Sequence, residues 1–235
     1  DDVLVSCGNL AAANIPHNSI DYIFTDPPFG ANISYSELSF LWEAWLGVRT
    51  NNSTEAIINS SQNKGLLEYQ QLMTDCFKKY YDVLKPNHWM TVEFHNSQNS
   101  VWNAIQQSLL RAGFIIADVR TLNKKQGTFQ QTTAQGTVKQ DLVISAYKPT
   151  ESFKRDFISQ AGSEETAWSF VRQHLDNIPV VVISNERIEI VAERQAYLLF
   201  DRMVAYHIMQ GIPVPLDVTD FYKGLDERFL KRDNM

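Results

Sequence analysis

The run Thr25-Asp26-Pro27-Pro28-Phe29-Gly30 puts three kinds of chemistry into six residues. Asp26 offers a carboxylate, which only accepts hydrogen bonds when ionised. Pro27 and Pro28 fix two consecutive φ angles, so the Pro27 carbonyl is a second acceptor held in a set direction. Phe29 adds a flat apolar face. The run follows Tyr22-Ile23-Phe24, a buried-strand candidate that the prolines stop sharply, because proline supplies no ladder donor. In open α/β sheets, ligands sit at the carboxyl ends of the strands. The plainer reading is a strand ending in a proline turn, with Asp26 capping the next helix. An aromatic residue directly after Asp-Pro-Pro weighs against it.

These residues resemble the catalytic motif of the amino-group DNA methyltransferases, Asp/Asn/Ser-Pro-Pro-aromatic. Ser19-Ile20-Asp21-Tyr22-Ile23-Phe24 leads into the motif as strands of that family do. Leu84-Lys85-Pro86 resembles the family's Leu-Lys-Pro-Gly-Gly turn, with Asn87-His88 in place of the glycines. The resemblance runs over residues 3–149. It implies an α/β chain with a partial, Rossmann-like methyltransferase sheet, S-adenosylmethionine as cofactor, no metal, and DNA as partner with its target base flipped out. Asp26, Pro27, Pro28 and Phe29 are then the catalytic residues.

The residue types suit that chemistry. An exocyclic amino nitrogen is a poor nucleophile because its lone pair is delocalised into the base. Two acceptors on its N–H groups favour a pyramidal nitrogen with the lone pair exposed, and Phe29 replaces the stacking lost from the duplex. The rate would come from positioning and electrostatics. Asp at the first motif position resembles the family's adenine enzymes, which implies N6 of adenine ahead of N4 of cytosine. Asn9 after Gly8, together with Thr25 and Tyr35, falls where the family contacts the cofactor. His95 and Asn96 end another strand on the same side and are candidates to line the site, with helix capping an equal claim on Asn96.

The elements that must position these residues alternate over residues 1–150, which form the expected methyltransferase region. Val3-Leu4-Val5 and Tyr22-Ile23-Phe24 read as strands. Leu38, Leu41, Trp42 and Trp45 recur at helical spacing as a buried face, with Trp42 in the core. After a polar loop from Arg49 to Lys64, Leu66, Tyr69, Met73, Phe77 and Tyr80 mark a stronger helix. Trp89 to Phe94 is a strand, and Val101, Ile105 and Leu109 mark a helix that stops at Gly113. Phe114 to Val119 and Leu142 to Tyr147 are strands around a polar excursion. This order predicts a largely parallel sheet with helices on both faces and an antiparallel edge. Residues 151–235 form an expected helical, acidic appendage, with helices over Trp168 to Ile178 and Ile190 to Met209 and a short strand or connector over Val180 to Ile183.

Charge and composition bound the alternatives. The net charge of −6 excludes a mainly electrostatic nucleic-acid binder, so DNA contact must be local. Residues 116–150 carry Arg120, Lys124, Lys125, Lys139 and Lys148 against Asp118 and Asp141, and Lys124, Lys125 and Lys139 are the expected DNA contacts. Two cysteines make no disulfide framework, so a cytoplasmic setting is expected. No apolar run reaches the ~20 residues of a membrane span. No His-Glu-x-x-His array, Walker loop or Gly-x-Ser-x-Gly elbow occurs. The family's glycine-rich cofactor turn is absent. With Asp1 at the start, this suggests an excised piece, the turn coming from a missing segment or another subunit. A catalytically silent module binding DNA or a partner, and a methyltransferase acting on RNA or protein glutamine, are the competing readings.

Overall fold

In the computed structural model, residues 2–31, 33–96, 98–122, 141–184 and 187–229 are described. The framework is a helix that runs without a loop into a strand, α2 (Leu66–Val83) into β2 (Leu84–Phe94). The helix forms because Tyr69, Met73 and Phe77 recur on one face and are buried. Its start is closed by Glu68, whose carboxylate accepts the Gly65 N–H at 2.8 Å. A second helix, α3 (Asn99–Ala112), packs beside it and ends at Gly113, whose φ of +105° is open to glycine at low cost. As expected from the sequence, this helix stops there.

Four strands form the main sheet: β1 (Ile20–Thr25), β2, β3 (Ile115–Leu122) and β4 (Asp141–Tyr147), in the order β1-β2-β4-β3. Only β1 and β2 are parallel; β4 is antiparallel to both β2 and β3. The expected largely parallel sheet is therefore corrected to a mixed one. The long connection from β3 to β4 brings β4 back between β2 and β3. Its first residue, Asp141, thus arrives at the end where β1 and β2 finish.

The sheet carries two cores, one on each face. Ile23, Met90, Val92, Phe94, Ile144 and Ala146 pack against α2 and α3. On the other face, Ile115, Ala117 and Tyr147 meet α4 (Glu151–Ser159), α5 (Glu165–Asn177), α6 (Ala196–Met209) and α7 (Val218–Arg228). A hairpin of β5 (Val181–Ser184) and β6 (Arg187–Ile190) lies between α5 and α6. The helix expected from Ile190 therefore begins only at Ala196. Lys148, just past β4, is 1% exposed. Its ammonium donates to Asn18 Oδ1 and to the carbonyls of Tyr81 and Leu84 at 2.7–2.8 Å, closing the junction of α2 with β2.

Two apolar segments are not buried. Val3, Leu4 and Val5 form no strand and are exposed. The helix expected after the motif does form, as α1 (Tyr35–Leu46), but no residue of it is buried. Trp42 is 71% and Trp45 85% exposed, so Trp42 is not a core residue. On β1, Ile23 faces α2, whereas Tyr22 and Phe24 are open on the other face. No helix among the described residues is long and apolar enough to cross a membrane.

Candidate active site

The motif leaves β1 at its carboxyl end, and three other segments of the chain immobilise it. The Pro28 carbonyl accepts from the Tyr69 hydroxyl of α2 at 2.5 Å. The Phe29 carbonyl accepts from Asn96 Nδ2 at 2.7 Å, and the Gly30 carbonyl from the Ile58 N–H at 3.2 Å. Gly30 has a φ of +86°, which favours glycine, and a Cβ there would press on Ile58 Cδ1 at 3.3 Å. Burial pushes the Tyr69 hydroxyl far above its usual pKa, which keeps it a donor. Pro27 is itself buried, and its carbonyl has no hydrogen-bond partner among the described residues. Asp26 stands exposed at the head of this clamp.

Phe29 is half-buried and meets Phe94 edge-on, with ring centroids 5.2 Å apart. The His95 ring lies 6.3 Å from the Phe29 ring. Asn96 is buried and bonded through both ends of its amide: besides holding Phe29, its Oδ1 accepts the Gln98 N–H at 2.7 Å, ahead of α3. Its carbonyl accepts Trp102 Nε1–H at 2.7 Å. His95 Nδ1 lies 2.7 Å from Asp141 Oδ1, with side chains 17% and 3% exposed. One sheet end thus gathers Asp26 just past β1, His95 and Asn96 just past β2, and Asp141 at the start of β4.

Sequence reasoning placed Asp26, Pro27, Pro28, Phe29, His95 and Asn96 at this end, and the structure brings them together. It missed Tyr69 and Asp141. The Tyr69 hydroxyl on a buried stripe was a usable signal, since such a group needs a partner. Asp141 gave none, because its place depends on β4 entering between β2 and β3.

The expected cofactor contacts differ from one another. Thr25 is 8% exposed, faces α2, and has its hydroxyl 3.2 Å from that of Tyr80, so it does not present itself to a ligand. Asn9 is exposed, and its Oδ1 accepts the Ala11 N–H of a short turn. Tyr35 is half-exposed at the start of α1, which is tied down where the Glu55 carboxylate accepts from the Ser36 N–H and hydroxyl. The expected DNA contacts Lys124, Lys125 and Lys139 lie outside the described residues. Of the other basic residues in that stretch, Lys148 is buried and Arg120 is paired with Asp118.

Comparison with known proteins gives a family. A family model described as DNA methylase, of the N6/N4 type, matches residues 20–189. No curated protein matches the sequence. Among solved structures, TTHA0409 of Thermus thermophilus, assigned as a DNA modification methylase, is 13% identical with a TM-score of 0.37. That match covers 71% of this chain and 62% of the other. A second structure of TTHA0409, complexed with S-adenosyl-L-methionine, is 11% identical with a TM-score of 0.36, covering 74% and 69%. The cytosine-N4-specific PvuII DNA methyltransferase is 12% identical with a TM-score of 0.38, covering 94% and 88%. Likenesses this distant carry no argument about activity. The family match rests on the sequence itself and takes in the motif, both strands behind it and Asp141: the chain belongs to the DNA methylase family of the N6/N4 type.

Proposed function

We propose that this chain is the catalytic portion of an S-adenosylmethionine-dependent methyltransferase acting on an exocyclic amino group of a DNA base, with N6 of adenine ahead of N4 of cytosine. One observation carries the reading. Of the carbonyls of residues 27 to 30, three are held by Tyr69, Asn96 and Ile58, and that of Pro27, beside the exposed Asp26, is left without a partner among the described residues. A carboxylate and a rigidly aimed carbonyl are what an –NH2 group needs to be gripped by both hydrogens. Phe29 beside them gives a flipped base a surface to stack on.

The residues fit the acceptor side of transfer from this cofactor. Methyl transfer asks for hydrogen-bond acceptors and an apolar wall around the acceptor nitrogen, and both are present. Asn9 and Tyr35 are exposed and would hold the cofactor; Thr25 is spent on Tyr80. Bound S-adenosylmethionine supplies a methyl carbon made electrophilic by its sulfonium charge. Asp26 and the Pro27 carbonyl orient the amino nitrogen toward that carbon, and Phe29 keeps water from the base. The glycine-rich turn comes from a further segment or subunit, a reading supported by the bare apolar surface of α1 and of the open face of β1.

The test is methyl transfer from labelled cofactor by the full-length protein to duplex DNA, RNA and a glutamine peptide, followed by nucleoside and peptide analysis. Label in N6-methyladenine is the expected result, and label in N4-methylcytosine would correct the base. Asp26→Ala should cut transfer by roughly 10²–10³-fold or more, the usual loss of a positioned electrostatic group. An unchanged rate in that variant would sink the assignment. The same bare surface favours one other reading, a catalytically silent partner-binding module. Absence of cofactor binding by the full-length protein would decide for it.

A further inference from the structure

The end of the sheet holds a second polar pair that the gripping of the amino group leaves unused. We propose that His95, backed by Asp141, is the proton acceptor of this same site; the inference rests on the amino-transfer reading above. Three observations point to it. First, His95 directly follows β2 with its ring 6.3 Å from that of Phe29, so a base stacked on Phe29 brings an edge within reach of the imidazole. Second, His95 Nδ1 is 2.7 Å from Asp141 Oδ1, and the Asp141 side chain is almost fully buried. A carboxylate has no hydrogen to give, so the imidazole tautomer that suits this contact carries its proton on Nδ1 and keeps its lone pair at Nε2. Third, Nε2 has no partner among the described residues. The Nδ1 contact is close without meeting hydrogen-bond geometry, and catalytic pairs are often poorly aligned until the reacting complex forms.

The chemistry requires a second group. When the amino nitrogen bonds to the methyl carbon, the carbon–sulfur electron pair returns to sulfur and the nitrogen becomes positively charged. One N–H proton must then leave, its bonding pair staying on nitrogen. If Asp26 took that proton, it would stop being the acceptor that holds the nitrogen in place. Transfer to His95 Nε2 leaves Asp26 ionised, and the Asp141 carboxylate stabilises the imidazolium until water removes the proton. His95 is thus a catalytic residue, and Asp141 a positioning residue that sets the tautomer.

Two measurements on the full-length protein test this. In ring-labelled histidine spectra, the His95 signal, identified by its loss in His95→Gln, should show the Nδ1-protonated tautomer, and Asp141→Asn should shift it toward Nε2–H. An Nε2-protonated His95 in the unaltered protein overturns the proposal without any assay of activity. In single-turnover transfer, His95→Gln should slow methylation by roughly 10²–10⁴-fold, the span of a general base, with DNA affinity by anisotropy unchanged. Added imidazole should restore part of the rate to His95→Ala, which a strand-tying role would not permit. If Asp26→Ala is inactive while His95→Gln keeps its full rate, this inference alone fails. If the unaltered protein transfers no methyl group at all, the amino-transfer reading fails and takes this one with it.

Discussion

Asn96 fixes two parts of the site with one side chain. Its amide donates to the Phe29 carbonyl while its oxygen receives the Gln98 N–H, so the motif and the start of α3 share a single anchor. Asn96→Ala takes the donor from the Phe29 carbonyl in the half-buried motif, a loss that costs about 1–3 kcal/mol, while the N–H of the exposed Gln98 can turn to water. The expected result is a drop in urea-unfolding stability of about 1–3 kcal/mol on the same scale. Asn96→Asp should do worse near neutrality, since a carboxylate oxygen would face the Phe29 carbonyl 2.7 Å away, the distance now spanned by the amide. That penalty should shrink as the pH falls and the carboxyl group regains a hydrogen to donate. If the aspartate variant matched the wild type at neutral pH, Asn96 would not be the anchor of the motif.

At the scale of elements, the second core holds a histidine that cannot charge. His174 of α5 is fully buried, stacked on Phe170 at 5.5 Å, with Nδ1 3.1 Å from the Tyr147 hydroxyl. Burial, followed by the charges of Arg202 and Arg194, depresses its pKa to about 3 from 6.5. In the unfolded chain the same ring titrates at its ordinary value, so between those two pH values the unfolded state binds the extra proton. Stability from this group is therefore complete above pH 6.5 and falls by about 1.4 kcal/mol per pH unit toward pH 3. His174→Phe should flatten the acid limb of stability against pH by that slope, measured by urea unfolding across the acid range and at neutrality. A parallel limb in the variant would mean that the carboxylates alone set it.

The same scale separates what the sequence made legible from what it hid. The stripe Tyr69, Met73, Phe77 announced α2 because one face of that helix is buried, and hydrophobic period reports amphipathy faithfully. Leu38, Leu41, Trp42 and Trp45 announced α1 equally well, yet nothing among the described residues covers them. Period shows that a face is apolar and says nothing of what packs on it. Asp26 to Gly30 could be read because their chemistry is written in consecutive residues. The meeting of His95 with Asp141 could not, since it depends on an antiparallel strand returning to the middle of the sheet.

Over the whole molecule, burial is lopsided. Helices cover both faces of β2, β4 and β3, while β1 is covered on one face only and α1 on none. Leu38, Phe40, Leu41, Trp42, Trp45 and Leu46 are each more than 60% exposed, and they follow directly after the motif. A contiguous apolar surface of this kind marks an interface or a tendency to associate. Because these side chains lend nothing to either core, replacing them with charge should leave the fold intact. Leu41→Glu combined with Trp45→Glu is expected to change unfolding stability by less than about 0.5 kcal/mol, the range of surface substitutions. Sedimentation should show self-association of the unaltered chain reduced in the double variant. A stability loss of several kcal/mol would mean that α1 lies packed against the chain in solution, and the bare face would then need no partner to explain it.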